Sequence, residues 1–222
     1  MLKAVLFDLD GTLVDSFKSI VLAFNESLNL AGMPPVAQAR LGKRIGTPYD
    51  KIMVDLYPEL ADDPGLLKDM SAEFNKRRHE LTEKYTRAYP GVRDTLEKIK
   101  NLGLKTCVVT TTHRDMTEKM LNDTKIDPFI DLIISRDDVK KLKPDPEPLF
   151  LAMEKMGVVP GECVMVGDHP NDILAAKNAG LRVVIIPKAH KKESLIKYNP
   201  DYLIDNSSVS FNELYDLLRK IT

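Results

Sequence analysis

Two aspartates separated by one residue, Asp8 and Asp10, follow directly after the apolar run 3–7. Such a run is typical of a strand covered on both faces in a parallel sheet, and the loop after it exposes side chains at the crevice of the sheet. Gly11 permits backbone dihedrals with which amide groups can close around an anion, and phosphate is the obvious candidate. Taken alone, the segment also fits a tight turn followed by a helix cap.

Three later segments place more functional groups after predicted strands or in rigid loops. Thr110 ends the apolar run 106–109, Lys143 stands at the head of a proline-rich segment, and Asp168 and Asp172 lie one helical turn apart. The prolines fix an extended backbone that aims the lysine. Each segment also has an ordinary explanation: a β-branched strand end, a surface lysine beside a rigid linker, and a helix N-cap. Together, the four segments favour a catalytic site.

In this order, the segments resemble those of the haloacid dehalogenase superfamily. The resemblance implies that Asp8 is the nucleophile and that Asp10, two residues later, is a general acid and base. It also implies that Thr110 hydrogen-bonds the phosphoryl group and that Lys143, in a K-P-x-P segment, offsets negative charge. Asp10 favours phosphoryl transfer over dehalogenation, because the dehalogenase branch lacks this acid/base aspartate.

The resemblance further implies a magnesium ion, since hard oxygen ligands suit Mg²⁺. The expected ligands are the Asp8 carboxylate, the Asp10 backbone carbonyl and Asp168, while Asp172 steadies a metal-bound water or the lysine. We expect the backbone of Leu9 to Gly11 and Thr111 to contact the substrate. Family members often carry asparagine where Thr111 stands.

Short apolar runs alternate with helix-sized stretches, and this pattern predicts an α/β fold with a Rossmann-like three-layer core and a mainly parallel sheet. Residues 16–86 break the pattern, because they show helical periodicity and no convincing strand. We therefore predict a helical cap at 16–86 inserted into a core of 1–15 and 87–222. The cap is similar to that of phosphoglycolate phosphatases and β-phosphoglucomutases.

Basic residues in the cap are candidates for a second anionic group of the substrate, although basic residues on a helical surface are often simply solvated. The candidates are Arg40, Lys43 and Arg44. His113 and His169 lie beside the motif segments, and we interpret them as loop residues that the chemistry does not require.

The composition excludes several classes of protein. In 222 residues, 32 basic and 33 acidic side chains give a net charge of -1, so no basic surface for nucleic acid is expected. We interpret the basic run 188–192 as a solvated loop, and Cys107 and Cys163 as small buried hydrophobes. No apolar run reaches membrane-spanning length and no leader pattern follows Met1, so we expect no membrane partner and cytoplasmic residence.

The resemblance implies a magnesium-dependent phosphatase that acts on a small phosphorylated metabolite, similar to phosphoglycolate phosphatase, and we expect a monomer or homodimer. The alternatives are a phosphosugar mutase, a pyrophosphatase or a non-catalytic binding protein. Intact Asp8, Asp10, Lys143 and Asp168 argue against the last of these.

Overall fold

The computed structural model describes residues 1–42, 44–205 and 210–221. Its main sheet has six parallel strands in the order β5-β4-β1-β6-β7-β8. These strands are β1 (Ala4–Phe7), β4 (Lys105–Val109), β5 (Leu132–Ile134), β6 (Cys163–Gly167), β7 (Arg182–Ile185) and β8 (Tyr202–Leu203). The strands predicted from the apolar runs 3–7 and 106–109 are confirmed to within one residue.

The central strand β1 is fully buried and pairs with β4 on one side and β6 on the other, so that Leu6 lies opposite Cys107 and Met165. Because all three strands run in one direction, their carboxyl ends meet at one edge of the sheet. Both cysteines, Cys107 and Cys163, are buried and free, as the sequence predicts.

Helices cover both faces of the sheet, which gives the predicted three layers. On one face, an apolar core includes Val5, Val108 and Val166, and on the other face a second core includes Leu6, Val109 and Met165. The helices of the core are α5 (Val92–Asn101), α6 (Arg114–Asp123), α7 (Glu147–Met156), α8 (Pro170–Asn178), α9 (Lys192–Ile196) and α10 (Ser210–Ile221). Short 3₁₀ turns lie at Asp127–Phe129, Arg136–Asp138 and Pro160–Glu162.

The described residues of the cap form four helices, which have an apolar core of their own. They are α1 (Phe17–Leu30), α2 (Gln38–Gly42), α3 (Tyr49–Leu56) and α4 (Pro64–Tyr85), with a 3₁₀ turn at Pro58–Asp62. Phe24, Tyr49 and Phe74 form an aromatic cluster in which the last two rings stack with centroids 4.5 Å apart. Such pairs add to the stabilisation that burial alone supplies, so the cap packs as a unit.

A short antiparallel ribbon connects the core and the cap, and the sequence pattern did not reveal it. Its strands are β2 (Val14–Asp15) and β3 (Arg87–Ala88). Two-residue strands carry too little periodicity to be recognised in a sequence. Among the described residues, no helix is both long enough and apolar enough to cross a lipid bilayer.

Candidate active site

The site lies at the carboxyl edge of the sheet, where Asp8 follows β1, Thr110 follows β4 and Asp168 follows β6. Lys143 reaches the same place from the loop before α7, and Asp172 from the first turn of α8. All five side chains are buried. The structure therefore brings together groups that are up to about 160 residues apart in the chain, as the parallel topology requires.

Lys143 connects two of the carboxylates. Its Nζ donates to Asp8 Oδ1 at 2.7 Å, to Asp172 Oδ1 at 2.7 Å and to the carbonyl oxygen of Val109 at 2.8 Å. Burial alone would lower the pKa of Lys143, but the two carboxylates outweigh it and raise that pKa, so the ammonium stays charged. With all three of its donors used, Lys143 is held in one orientation.

Three carboxylates, those of Asp8, Asp168 and Asp172, have oxygen atoms within 4.8 Å of one another. Burial raises the pKa of Asp8 to about 7, against the opposing charge of Lys143. Burial and the neighbouring charges of Asp8 and Asp172 raise the pKa of Asp168 well above its ordinary value. One ammonium does not balance three buried carboxylates, so a hard divalent cation such as Mg²⁺ suits this donor set.

Gly11 and Thr12 fix the position of Asp168. Gly11 has φ +85°, and a Cβ at this position would lie 2.6 Å from Asp168 Oδ2, so only glycine fits there. Thr12 Oγ1 donates to Asp168 Oδ1 at 3.1 Å. The amide of Gly11 donates to the carbonyl oxygen of Val14 at 2.9 Å. Candidates for a phosphate contact in this loop are therefore the amides of Leu9 and Asp10.

Asp10 is held by a different set of partners, one of which comes from the cap. Arg78 Nη2 of α4 and Ser16 Oγ each lie 2.5 Å from Asp10 Oδ1, and Thr112 Oγ1 donates to Oδ2 at 2.7 Å. Burial alone would raise the pKa of Asp10, but the charge of Arg78 and the hydroxyl hydrogen bonds outweigh it and lower that pKa. The Asp10 carboxylate is not part of the cluster formed by Asp8, Asp168 and Asp172. The metal contact expected of Asp10 is made by its backbone carbonyl and does not involve this carboxylate.

Arg78, Ser16, Thr12 and Thr112 did not emerge from the sequence. Arg78 left a detectable signal, because it interrupts the apolar face of α4 four residues after Phe74, where a charged side chain needs a buried partner. The hydroxyl residues gave no comparable signal, because serine and threonine are common at turns and strand ends.

Leu9, Thr110 and Thr111 are the other residues that we expect to contact the substrate. The side chain of Leu9 is fully buried, so only its backbone can face a ligand. Thr110 is 3% exposed, and its Oγ1 accepts from the amide of Thr112 at 3.1 Å. Thr111 lines a small cavity of about 60 Å³ between the cap and the core, which we call the inner cavity.

A larger cavity of about 450 Å³ opens beside Gly11 and Asp168, and we call it the outer cavity. Lys188 lines it, with Nζ 4.4 Å from the centre of the Tyr89 ring. Burial lowers the pKa of Lys188. The basic run 188–192 is therefore only in part a solvated loop. Ala189, Lys191 and Lys192 are exposed as interpreted, whereas Lys188 is half-buried and packs on Tyr89, far away in the sequence.

Two of the basic cap residues expected to contact the substrate, Arg40 and Arg44, lie elsewhere. Arg40 is exposed, and Arg44 Nη1 donates to the carbonyl oxygen of Arg40 at 2.8 Å. Neither residue lines the inner or the outer cavity. Lys43 lies outside the described residues.

The fold and the site define a Rossmann-like α/β core with a helical cap and a buried carboxylate site, and comparison with protein families agrees. The family model of haloacid dehalogenase-like hydrolases matches residues 5–186. The chain therefore belongs to the haloacid dehalogenase-like hydrolases, and the resemblance drawn from the four segments is confirmed.

Several similar proteins carry phosphatase names. The chain is 33% identical over 204 residues to pyrophosphatase PpaX of Halalkalibacterium halodurans, covering 91% of this chain and 92% of the relative. A predicted phosphoglycolate phosphatase from Haemophilus somnus has TM-score 0.85 at 26% identity, covering 100% of this chain and 98% of that one. CbbY from Rhodobacter sphaeroides, in complex with phosphate, has TM-score 0.80 at 26% identity, with 96% coverage of both chains. The prediction of a hydrolase of the phosphatase class is confirmed.

Proposed function

We propose that the protein is a magnesium-dependent phosphatase that hydrolyses a small phosphomonoester through an aspartyl phosphate on Asp8. The observation that carries the proposal is the pairing of Asp8 with Lys143 at 2.7 Å, beside two further buried carboxylates, Asp168 and Asp172. This arrangement supplies a nucleophile in a fixed orientation together with oxygen ligands for a cation. The Mg²⁺ ion would be held by Asp8, Asp168 and the backbone carbonyl of Asp10, with Asp172 as support.

In the first half-reaction, an oxygen of Asp8 bonds to phosphorus and the bond from phosphorus to the leaving oxygen breaks. Lys143, the hydroxyl of Thr110 and the free loop amides stabilise the phosphoryl oxygens as charge moves onto the leaving group. When bound, Mg²⁺ supplies further positive charge that offsets the phosphate and the carboxylates. Asp10, in its protonated form, gives its proton to the leaving oxygen.

In the second half-reaction, the Asp10 carboxylate accepts a proton from the water that attacks the aspartyl phosphate, and Asp8 is released. To act as the acid, Asp10 has to be protonated at the start of the cycle, whereas the structure holds it as a carboxylate beside Arg78. The geometry therefore corresponds to the base form of Asp10. Donation of a proton in the first half-reaction requires Asp10 to separate from Arg78.

A comparison of substrates separates the three candidate activities, which are phosphomonoester hydrolysis, pyrophosphate hydrolysis and isomerisation of a phosphosugar. A pyrophosphatase is the second candidate, because curated relatives with 33% and 34% identity carry that name. A phosphosugar mutase would isomerise a hexose 1-phosphate without net release of phosphate. We therefore suggest ranking kcat/KM for 2-phosphoglycolate, pyrophosphate and a hexose 1-phosphate, since this ratio reports binding of the transition state.

A direct test uses p-nitrophenyl phosphate with Mg²⁺, comparing the wild type with Asp8→Asn and with chelated enzyme. We expect turnover to disappear in both cases. Appreciable activity of Asp8→Asn, or of enzyme freed of metal, would contradict the mechanism. Cytoplasmic residence, the lack of a nucleic-acid or membrane partner and the choice between monomer and homodimer stay predictions.

A further inference from the structure

Helix α7 of the core carries an exposed aromatic side chain on its outer face. Phe150 is 48% exposed, and its neighbour Leu151 is partly exposed. The residues of α7 that reach the surface form one stripe at helical spacing, which also contains Glu147, Glu154 and Lys155. A large apolar side chain surrounded by charged groups on a protein surface is typical of a site of protein–protein contact.

Two grooves of opposite charge lie along this stripe. One has a volume of about 310 Å³ and runs from the turn that follows β5 along the start of α7, and we call it the acidic groove. Its charged residues are Asp138, Asp145, Glu147 and Glu154. The other has a volume of about 360 Å³ and lies between the end of α7 and the first residues of β4 and β5, and we call it the basic groove. Its charged residues are Lys100, Lys105, Asp131 and Lys155. The acidic groove therefore lies toward the carboxyl ends of the strands, and the basic groove at their amino ends.

The charges of each groove are only partly balanced within the chain. Among the described residues, the carboxylates of the acidic groove have two cationic partners, Arg114 beside Asp138 and Lys141 at 3.6 Å from Asp145, so two negative charges remain in excess. In the described part of the basic groove, one of the three lysines, Lys100, pairs with the single lining carboxylate, so two positive charges remain in excess. The two grooves of one chain therefore carry excess charges that are equal in size and opposite in sign.

This face is complementary to a second copy of itself. Helix α7 has 10 residues and is about 15 Å long, so the two excess charges are separated along the helix axis. A second copy, turned by 180° about an axis through the middle of α7, places its basic groove opposite the acidic groove of the first copy and its acidic groove opposite the basic one. Phe150 and Leu151 lie near that axis, where the same side chains of the second copy can cover them. A purely basic partner would match one groove, whereas a second copy matches both.

We propose that this face is the interface of a symmetric homodimer, in which two α7 helices pack antiparallel through Phe150. The acidic groove of each copy then receives the lysines of the basic groove of the other. The aromatic side chains at the centre supply most of the affinity, and the charges set the orientation of the two copies. The inference does not depend on the proposed function, because neither groove contains a residue of the site around Asp8.

Sedimentation equilibrium of the full chain measures the dissociation constant of the dimer. We expect the wild type to dimerise, and Phe150→Glu to weaken dimerisation by about 30-fold or more, as for other central aromatic anchors. Lys155→Glu and Asp145→Lys should each weaken it by about 10-fold, because each places like charges opposite each other. Raising NaCl from about 0.1 to about 1 M should weaken the wild-type dimer, because salt screens the charges at the rim of the interface.

A mixture of the two charge-reversed variants tests the pairing itself. In a mixed dimer of Lys155→Glu and Asp145→Lys, each acidic position again faces a basic one, so the mixture should associate more tightly than either variant alone. Lys51→Glu serves as the matched control, because it makes the same change at an exposed position on the cap and should leave dimerisation unchanged. The melting temperature of each variant shows whether it folds. Since Asp145 also accepts a hydrogen bond from the amide of Glu147, the exposed positions Phe150 and Lys155 decide the test if Asp145→Lys does not fold.

Three outcomes would overturn the inference. One is a wild type that stays monomeric up to a protein concentration of about 100 µM. Another is a dimer that keeps its affinity in both Phe150→Glu and Lys155→Glu, because its interface then lies on another face. The third is a monomer whose acidic groove binds a fluorescent oligolysine peptide, which would assign the groove to a basic partner. Phosphate release from p-nitrophenyl phosphate is measured separately, so each of these outcomes leaves the proposed function intact.

Discussion

Replacing Asp8 by asparagine should stabilise the metal-free protein while abolishing its activity. Asp8 is buried, and its pKa is raised from 3.8 to about 7, chiefly because burial disfavours the charged form. An acidic group whose pKa is higher in the folded than in the unfolded protein makes its full contribution to stability only at a pH below its unfolded pKa. That contribution is lost as the pH rises from about 4 to about 7. Asparagine is neutral at every pH and still accepts a hydrogen bond from Lys143.

The size of the effect follows from the shift. Three pKa units correspond to about 4 kcal/mol at pH 8, where both states of wild-type Asp8 would be ionised, and to about 2 kcal/mol at pH 5. We therefore expect Asp8→Asn to raise the free energy of unfolding by up to these amounts in the presence of a chelator. Saturating Mg²⁺ should stabilise the wild type and reduce the difference, because the cation offsets the same charge.

Denaturant unfolding at both pH values, with a chelator and with Mg²⁺, measures the effect. Asp62→Asn serves as the control, because it removes an equal charge from an exposed position on the cap and should leave the free energy of unfolding nearly unchanged. If metal-free Asp8→Asn were no more stable than the wild type at pH 8, or if its advantage were the same at pH 5, the proposed charge imbalance would be refuted.

Three further substitutions test other parts of the site. Asp10→Asn should lower kcat by about 10²- to 10⁴-fold. With p-nitrophenyl phosphate, whose leaving group needs no proton, rapid-mixing kinetics should show a burst of product followed by slow turnover. Steady turnover at the wild-type rate would contradict the role of Asp10 as a base. Gly11→Ala should abolish activity and lower the melting temperature, because the Cβ of the alanine would overlap Asp168. A variant that is active and as stable as the wild type would show that the loop relaxes. Thr12→Val should weaken Mg²⁺ affinity about 10-fold or more, because Asp168 loses a hydrogen bond. The dependence of activity on Mg²⁺ concentration measures this affinity. An unchanged dependence would show that Thr12 has no part in the site.

The sequence was sufficient to predict the residues at strand ends. Asp8, Thr110 and Asp168 each follow a buried strand, and parallel topology then requires them to meet. The lysine was predictable for a similar reason, since prolines fix the backbone around Lys143. In all four cases, the local sequence pattern is enough to predict where the backbone places the side chain.

Contacts that depend on docking of the cap were not predictable. Arg78 meets Asp10 across a sequence separation of 68 residues, and no local pattern specifies how α4 lies on the core. Lys188 looked like part of a charged loop because its packing partner, Tyr89, belongs to another part of the chain. Long side chains such as lysine and arginine are hard to assign from sequence, because their stems pack on apolar groups while their charges find distant partners.

The proposed mechanism requires Asp8 to form a covalent bond to phosphorus during turnover. Rapid acid quenching of the wild type with Mg²⁺ and its best substrate, followed by peptide mass analysis, measures this directly. We predict one phosphoryl group on the peptide that contains Asp8, and none on Asp8→Asn treated in the same way. Sustained turnover without phosphoryl transfer to Asp8, or a phosphoryl group found on another residue, would contradict the account.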